Sequence, residues 1–181
     1  MLGFCVHWRA LSLTRSRWNW HTATHMYKPK ICIIRLSRWY RSIGSRLGEA
    51  NCLQSMGELS RAPSRFDAAS ESYDQALSLC RQIGDRAGEA NCVRGLGDVA
   101  CMQEQYAEAA NQYRRALLLY REVGLRLGEA GCLWSMARLA VLQHNLNLAR
   151  EASELAATTY SNIGLSAQAQ QVRDEFTQSQ P

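Results

Sequence analysis

Apolar residues in this chain recur at helical spacing, in two kinds of segment that alternate and return. In the first kind, Leu53, Met56, Gly57 and Ser60 stand at i, i+3, i+4 and i+7. Val93, Leu96, Gly97 and Ala100 repeat that face, and Leu133, Met136, Ala137 and Ala140 repeat it again. Such spacing describes one side of an α-helix. The second kind carries Phe66, Ala69, Tyr73, Ala76 and Cys80, then Tyr106, Ala109, Tyr113, Ala116 and Tyr120, then Leu146, Ala149, Ser153, Ala156 and Tyr160. Large residues alternate with small ones, which lets two helices approach closely. A bulky side chain at Gly57, Gly97, Ala69, Ala76, Ala109 or Ala116 would overpack such a pair by about 1–3 kcal/mol.

The segments are joined by a stretch that the chain writes repeatedly. Ile43-Gly44-Ser45-Arg46-Leu47-Gly48-Glu49-Ala50-Asn51-Cys52 returns forty residues later as Ile83-Gly84-Asp85-Arg86-Ala87-Gly88-Glu89-Ala90-Asn91-Cys92. It returns again as Val123-Gly124-Leu125-Arg126-Leu127-Gly128-Glu129-Ala130-Gly131-Cys132, and a fading copy begins at Ile163-Gly164. A fixed period of this length marks a stacked repeat array. Gly84 is placed to end a helix in the left-handed conformation and Asp85 to cap the next, as are Gly44 and Ser45; Gly124-Leu125 and Gly164-Leu165 keep the stop and lose the cap. The links within pairs, at 61–65, 103–105 and 143–145, are short and polar, so consecutive helices must run antiparallel. Arg46, Arg86 and Arg126 each stand three residues before Glu49, Glu89 and Glu129, a spacing expected to give ion pairs along one helix face.

The ends depart from the repeat. Residues 31–43 align with 71–83 and read as the second helix of a leading half-repeat, leaving Ile33, Ile34 and Leu36 without a partner unless residues 1–30 cover them. Leu165, Ala169, Val172 and Phe176 form one apolar stripe while Gln168, Gln170, Gln171, Arg173 and Asp174 face away, which suits a closing helix. The expected fold is therefore all-α. About three antiparallel helix hairpins, a leading half-repeat and a C-terminal capping helix occupy 31–178, with an extension at 1–30 and a tail at 179–181.

At 181 residues and 46% hydrophobic content the chain can bury a real core. Its net charge of +5 is unevenly spread. No Asp or Glu occurs from Met1 to Gly48, where nine of the 21 Lys and Arg lie, so the region after Gly48 is net acidic. The extension is basic and holds Trp8, Trp18 and Trp20. A disordered extension is the first reading; its Arg- and Ser-rich, acid-poor make-up also resembles an organelle transit peptide, and contact with nucleic acid or an acidic membrane is the further alternative. His21 and His25 stand at i, i+4 without the Glu or third ligand of a metal motif. No apolar run approaches the ~18 residues of a membrane span. None of the seven cysteines is spaced Cys-x-x-Cys, and Cys52, Cys92 and Cys132 recur at one repeat position, as small core residues do. A reducing, cytoplasmic setting is expected, with no metal or cofactor.

These residues resemble the tetratricopeptide repeat family. The match is carried by Leu96-Gly97, Tyr106, Ala109, Tyr113 and Ala116 and by their counterparts in the neighbouring units. The forty-residue unit and its linker are similar to the variant in Pins-type adaptors, rapsyn and arrays attached to signalling NTPases. The resemblance covers 31–176 and implies a right-handed superhelix that serves as a binding scaffold, with the first helix of each pair lining a concave groove. The residues there that the apolar stripe leaves over are Asn51, Gln54, Ser55 and Glu58, then Asn91, Arg94, Gly95 and Asp98, then Gly131, Trp134, Ser135 and Arg138. Each set is again spaced i, i+3, i+4, i+7, so three polar stripes side by side would suit an extended or helical peptide. Family members often hold the peptide backbone with an asparagine where this chain has Ser55, Gly95 and Ser135, and the only lysines are Lys28 and Lys30. An exposed Trp134 with Arg138 is the expected anchor, since Trp and Arg dominate interface energetics.

Signals for catalysis are lacking. Gly84 to Gly88 has no Lys-Ser/Thr step for a phosphate loop, and His144 is the one histidine in the array. The expected function is a non-enzymatic adaptor that takes a peptide or helix of another protein in the groove. The rivals are a structural or sensor segment of a larger signalling protein, including self-association through the incomplete first unit, and contact with nucleic acid through the basic extension.

Overall fold

The computed structural model describes residues 28–61 and 65–178, and among these it contains eight α-helices and no strand. They are α1 (Lys28–Ser42), α2 (Arg46–Leu59), α3 (Phe66–Ile83), α4 (Arg86–Met102), α5 (Tyr106–Glu122), α6 (Arg126–Leu142), α7 (Leu146–Asn162) and α8 (Ser166–Gln178). The transit-peptide, nucleic-acid and His21/His25 readings fall on residues outside those described. Helix α1 begins at Lys28, ahead of the boundary expected at residue 31, because proline fits a helix's first turn, where its missing N–H is no loss.

The linkers work as local chemistry dictates. Gly84 closes α3 with φ +73°, a left-handed conformation that glycine adopts without strain, and the Asp85 carboxylate accepts from the Gly88 N–H at 2.8 Å. Ser45 caps α2 in the same way, and Leu125 before α6 offers no side-chain cap. Every helix therefore turns back on its predecessor, and the hairpins α2–α3, α4–α5 and α6–α7 stack into a repeat solenoid that α8 closes. First helices α2, α4 and α6 also touch one another directly, whereas α3, α5 and α7 show no comparable contact. The first helices thus form the inner side.

The core runs along the seams between hairpins. Ala69, Ala76, Ala90, Cys92, Ala109, Ala116, Ala130 and Cys132 are fully enclosed, with Tyr73, Tyr113 and Tyr120 as the bulk set against them. A Cβ on Gly57 would lie 2.7 Å from the Tyr73 ring, and one on Gly97 would lie 2.7 Å from the Tyr113 ring. In the third unit both partners change together: Ala137 stands for the glycine and Ser153 for the tyrosine. Close approach in the first two hairpins requires both halves of the pair, and the third hairpin has exchanged both.

Two expectations about contacts need correction. Arg86–Glu89 and Arg126–Glu129 pair at 2.9 Å, but Glu49 is taken by Arg41 (2.7 Å) while Arg46 reaches across to Gln82 (2.6 Å). The more regular partner of each glutamate lies eight residues earlier, at the end of the preceding helix: Arg41, Arg81 and Arg121. Each pair clasps a linker rather than supporting one helix alone. On α1, Ile33 and Ile34 are half-buried against α2, and the exposed apolar residues are Ile31, Leu36, Trp39 and Ile43.

Candidate functional site

The inner side carries a groove of about 620 Å³ across α4 and α6. Of the residues expected to line it, Asn91, Arg94, Asp98, Trp134, Ser135 and Arg138 are brought together there. A smaller polar recess beside it takes in Gln54 and Glu58, again with Asn91, Arg94 and Asp98. Asn51 lies farther out, near Gly44 and Gly84, and Ser55 lines neither, its hydroxyl donating to the Asn51 carbonyl at 3.0 Å.

Most of these side chains are tied to their neighbours, which corrects the picture of a free polar stripe. Asp98 is the hub. Its carboxylate accepts from the Tyr113 hydroxyl at 2.8 Å and from Arg61 at 2.8 Å, with Arg94 at 3.7 Å. Arg94 donates to the Tyr120 hydroxyl at 3.3 Å, and that hydroxyl donates to Asn91 Oδ1 at 2.7 Å. Gln54 donates to the Gly88 carbonyl at 3.3 Å. The network links α2, α4 and α5, because a polar atom half-sheltered between units must find a partner within the array. Burial pushes the Tyr73 phenol up to about 12; burial together with the Asp98 carboxylate raises Tyr113 as well. Both stay protonated at neutral pH.

The charge of Asp98 is balanced in place by Arg61 and Arg94. Trp134 is not an exposed anchor. It is half-buried, meets Tyr160 edge-on at 6.4 Å between ring centroids, and donates its indole N–H to Glu175 at 3.0 Å. Arg138 also reaches Glu175, at 3.4 Å, yet its side chain remains 68% exposed. Among the expected groove cations it is the one that presents most of its surface to a ligand.

Sequence reasoning missed Arg61, Tyr113, Tyr120, Tyr160 and Glu175. The tyrosines read as core, and only the tips of their rings reach the groove. Glu175 was legible in principle, because the forty-residue register sets it in line with Gly95 and Ser135. Among the described residues no His, Cys, Asp and Glu come together as a metal site, and no helix is long and apolar enough to cross a membrane.

With this geometry in view, comparison with known proteins gives a match over part of the chain. Residues 49–122 match the tetratricopeptide repeat family. Those residues run from the start of α2 to the end of α5, the two hairpins with the Gly–Tyr pairs intact. Tetratricopeptide repeats generally mediate protein–protein interaction. Among solved structures, the crystal structure of BtubC (BKLC) from P. vanneervenii is similar, with 14% identity and a TM-score of 0.48 over 87% of this chain and 91% of that one. No curated protein matches the chain.

Proposed function

We propose that the chain is a tetratricopeptide-type adaptor that holds a peptide or helical segment of another protein against the inner faces of α2, α4 and α6. The groove of about 620 Å³, open along two neighbouring units and lined by Asn91, Arg94, Ser135 and Arg138, carries this reading. Its walls are pre-organised by the Asp98 network, so little side-chain freedom remains to be lost when a ligand docks. Arg138 and Ser135 supply directional contacts, and Asn51, Gln54 and Glu58 extend the polar surface along α2.

The test is a paired comparison of binding. Ser135→Arg with Arg138→Glu fills the groove and puts a carboxylate where its most exposed cation stands, and Arg115→Glu changes the charge on the exposed face of α5. The adaptor reading expects the groove variant to lose its captured partners with an unchanged melting temperature, and the α5 variant to keep them. Retention of the same partners by the groove variant contradicts it.

The open face of α1 favours a second reading, contact with a second copy of this chain. Leu36 and Trp39 on that helix and Ile43 just past its end are exposed, and Arg35 and Arg38 flank them. Sedimentation of the whole chain over a hundredfold range of concentration separates the two. Association that Leu36→Glu abolishes supports self-contact, and a concentration-independent monomer removes it.

A further inference from the structure

Beside the groove, and sharing Trp134, Arg138 and Leu142 with it, lies a second cavity of about 170 Å³. Its walls come from Trp134, Ala137 and Val141 on α6 and from Val172 and Phe176 on α8, with Ser153 of α7 at its floor. Ser153 turns its hydroxyl back onto the Arg150 carbonyl at 2.9 Å, so it offers the cavity no unmet polar group.

The two preceding units show what such a place holds. At the position of Ser153 they carry Tyr73 and Tyr113. Tyr73 is wedged between α2 and α4, where a Cβ on Gly57 or on Gly95 would come within 2.7 and 2.5 Å of its ring. Tyr113 lies against Gly97 and donates its hydroxyl to Asp98, a carboxylate that also accepts from Arg61 and pairs with Arg94 at 3.7 Å. In the third unit the ring is absent and the space remains. An apolar cavity of ~150 Å³ is enough to stay dry and admit benzene. The chemistry at the mouth also has a counterpart: Glu175 accepts from the Trp134 indole and faces Arg138, as Asp98 faces Arg61 and Arg94. A carboxylate can accept from several donors at once, so a phenol entering the slot meets a carboxylate at its mouth, supplied by α8 where Tyr113 meets one supplied by α4.

We propose that this slot receives a tyrosine side chain of the partner segment, which completes the third repeat by supplying in trans the ring that Tyr73 and Tyr113 supply in cis. The inference rests on the groove reading above and adds to it a side-chain preference at one end. Binding requires the ring to enter between α6 and α8 and its hydroxyl to donate to Glu175.

The test uses the side-chain analogue 4-methylphenol, with toluene as the arm lacking the hydroxyl, titrated into the whole chain while methyl resonances are followed by NMR. The proposal expects saturable shifts at Val141, Leu142 and Val172, none at Leu53, and binding several-fold weaker for toluene. Ala137→Gly with Ser153→Tyr rebuilds the second-unit pair and should weaken 4-methylphenol by tenfold or more, with helical content and melting temperature retained. Ser153→Leu, which fills the floor without a ring, should give the same loss. No saturable shift up to the solubility limit, or shifts that persist in both filled variants, overturns the slot. Equal binding of toluene overturns the assignment to tyrosine. Partner capture separates the two levels: loss in the Ser135/Arg138 variant but not in the filled variants leaves the groove standing and removes the slot.

Discussion

The second and third hairpins are built on one plan and differ at three coupled places. The second has Gly97, Tyr113 and Asp98; the third has Ala137, Ser153 and Arg138. In the second, ring and glycine interlock and the hydroxyl is anchored by the carboxylate, so the inner wall is closed. In the third, the added methyl and the lost ring leave a cavity, and the anchoring acid is replaced by a cation whose partner Glu175 comes from the closing helix. A repeat position can thus be structural in one unit and vacated in the next without altering the fold.

That contrast can be broken most forcefully from the closed side. Tyr113→Ser copies the third unit's residue into the second and removes a buried ring with its hydrogen bond to Asp98. By analogy with large-to-small aromatic truncations it should cost about 3–5 kcal/mol in urea unfolding. Gly97→Ala introduces a Cβ 2.7 Å from the Tyr113 ring, whose hydroxyl is fixed on Asp98. Its cost should be about 1–3 kcal/mol despite alanine's better helix propensity. The two substitutions together should cost less than their sum by about 0.5–3 kcal/mol, since each relieves the problem the other creates. Strict additivity in that double-mutant cycle would show that the pair is not interlocked.

The smallest expected effect concerns the linker clasps that both hairpins share. Burial alone would raise the carboxyls of Glu89 and Glu129. Hydrogen bonds from Arg81 and Arg86, and from Arg121 and Arg126, outweigh it and hold both below the ordinary range. Their contribution is therefore complete above the unfolded carboxyl pKa of about 4.3 and is lost as pH falls through the lower folded value. The arginines are about half exposed or more, so solvent screening keeps the contribution of each clasp small. Thermal melts between pH 6 and pH 3 should show a shallower acid decline for Glu89→Gln with Glu129→Gln than for the parent chain.

Much of the fold was legible because its determinants are local. Gly84 with Asp85 names a helix stop and the next start, and the small-residue stripe through Ala69, Ala76, Ala109 and Ala116 names the packing face. The polar stripe was located on the inner side by period alone, but its state was not. Whether Asp98 and Arg94 are offered to a ligand or spent on neighbours depends on Tyr113, Tyr120 and Arg61, which arrive from other helices. Trp134 was misjudged for the same reason: its exposure is decided by Tyr160 and Glu175, 26 and 41 residues downstream. The cavity at Ser153 was written in the sequence as a double departure from the repeat, and only the positions of Val172 and Phe176 show that nothing refills it.

The central claim is that partners meet the inner faces of α4 and α6. Site-specific photo-crosslinking tests it most directly, with benzoylphenylalanine placed at Ser135 in the groove or at Arg115 on the exposed face of α5. The account predicts a crosslinked partner from position 135 and none from 115; a partner crosslinked from 115 and absent from 135 would contradict it.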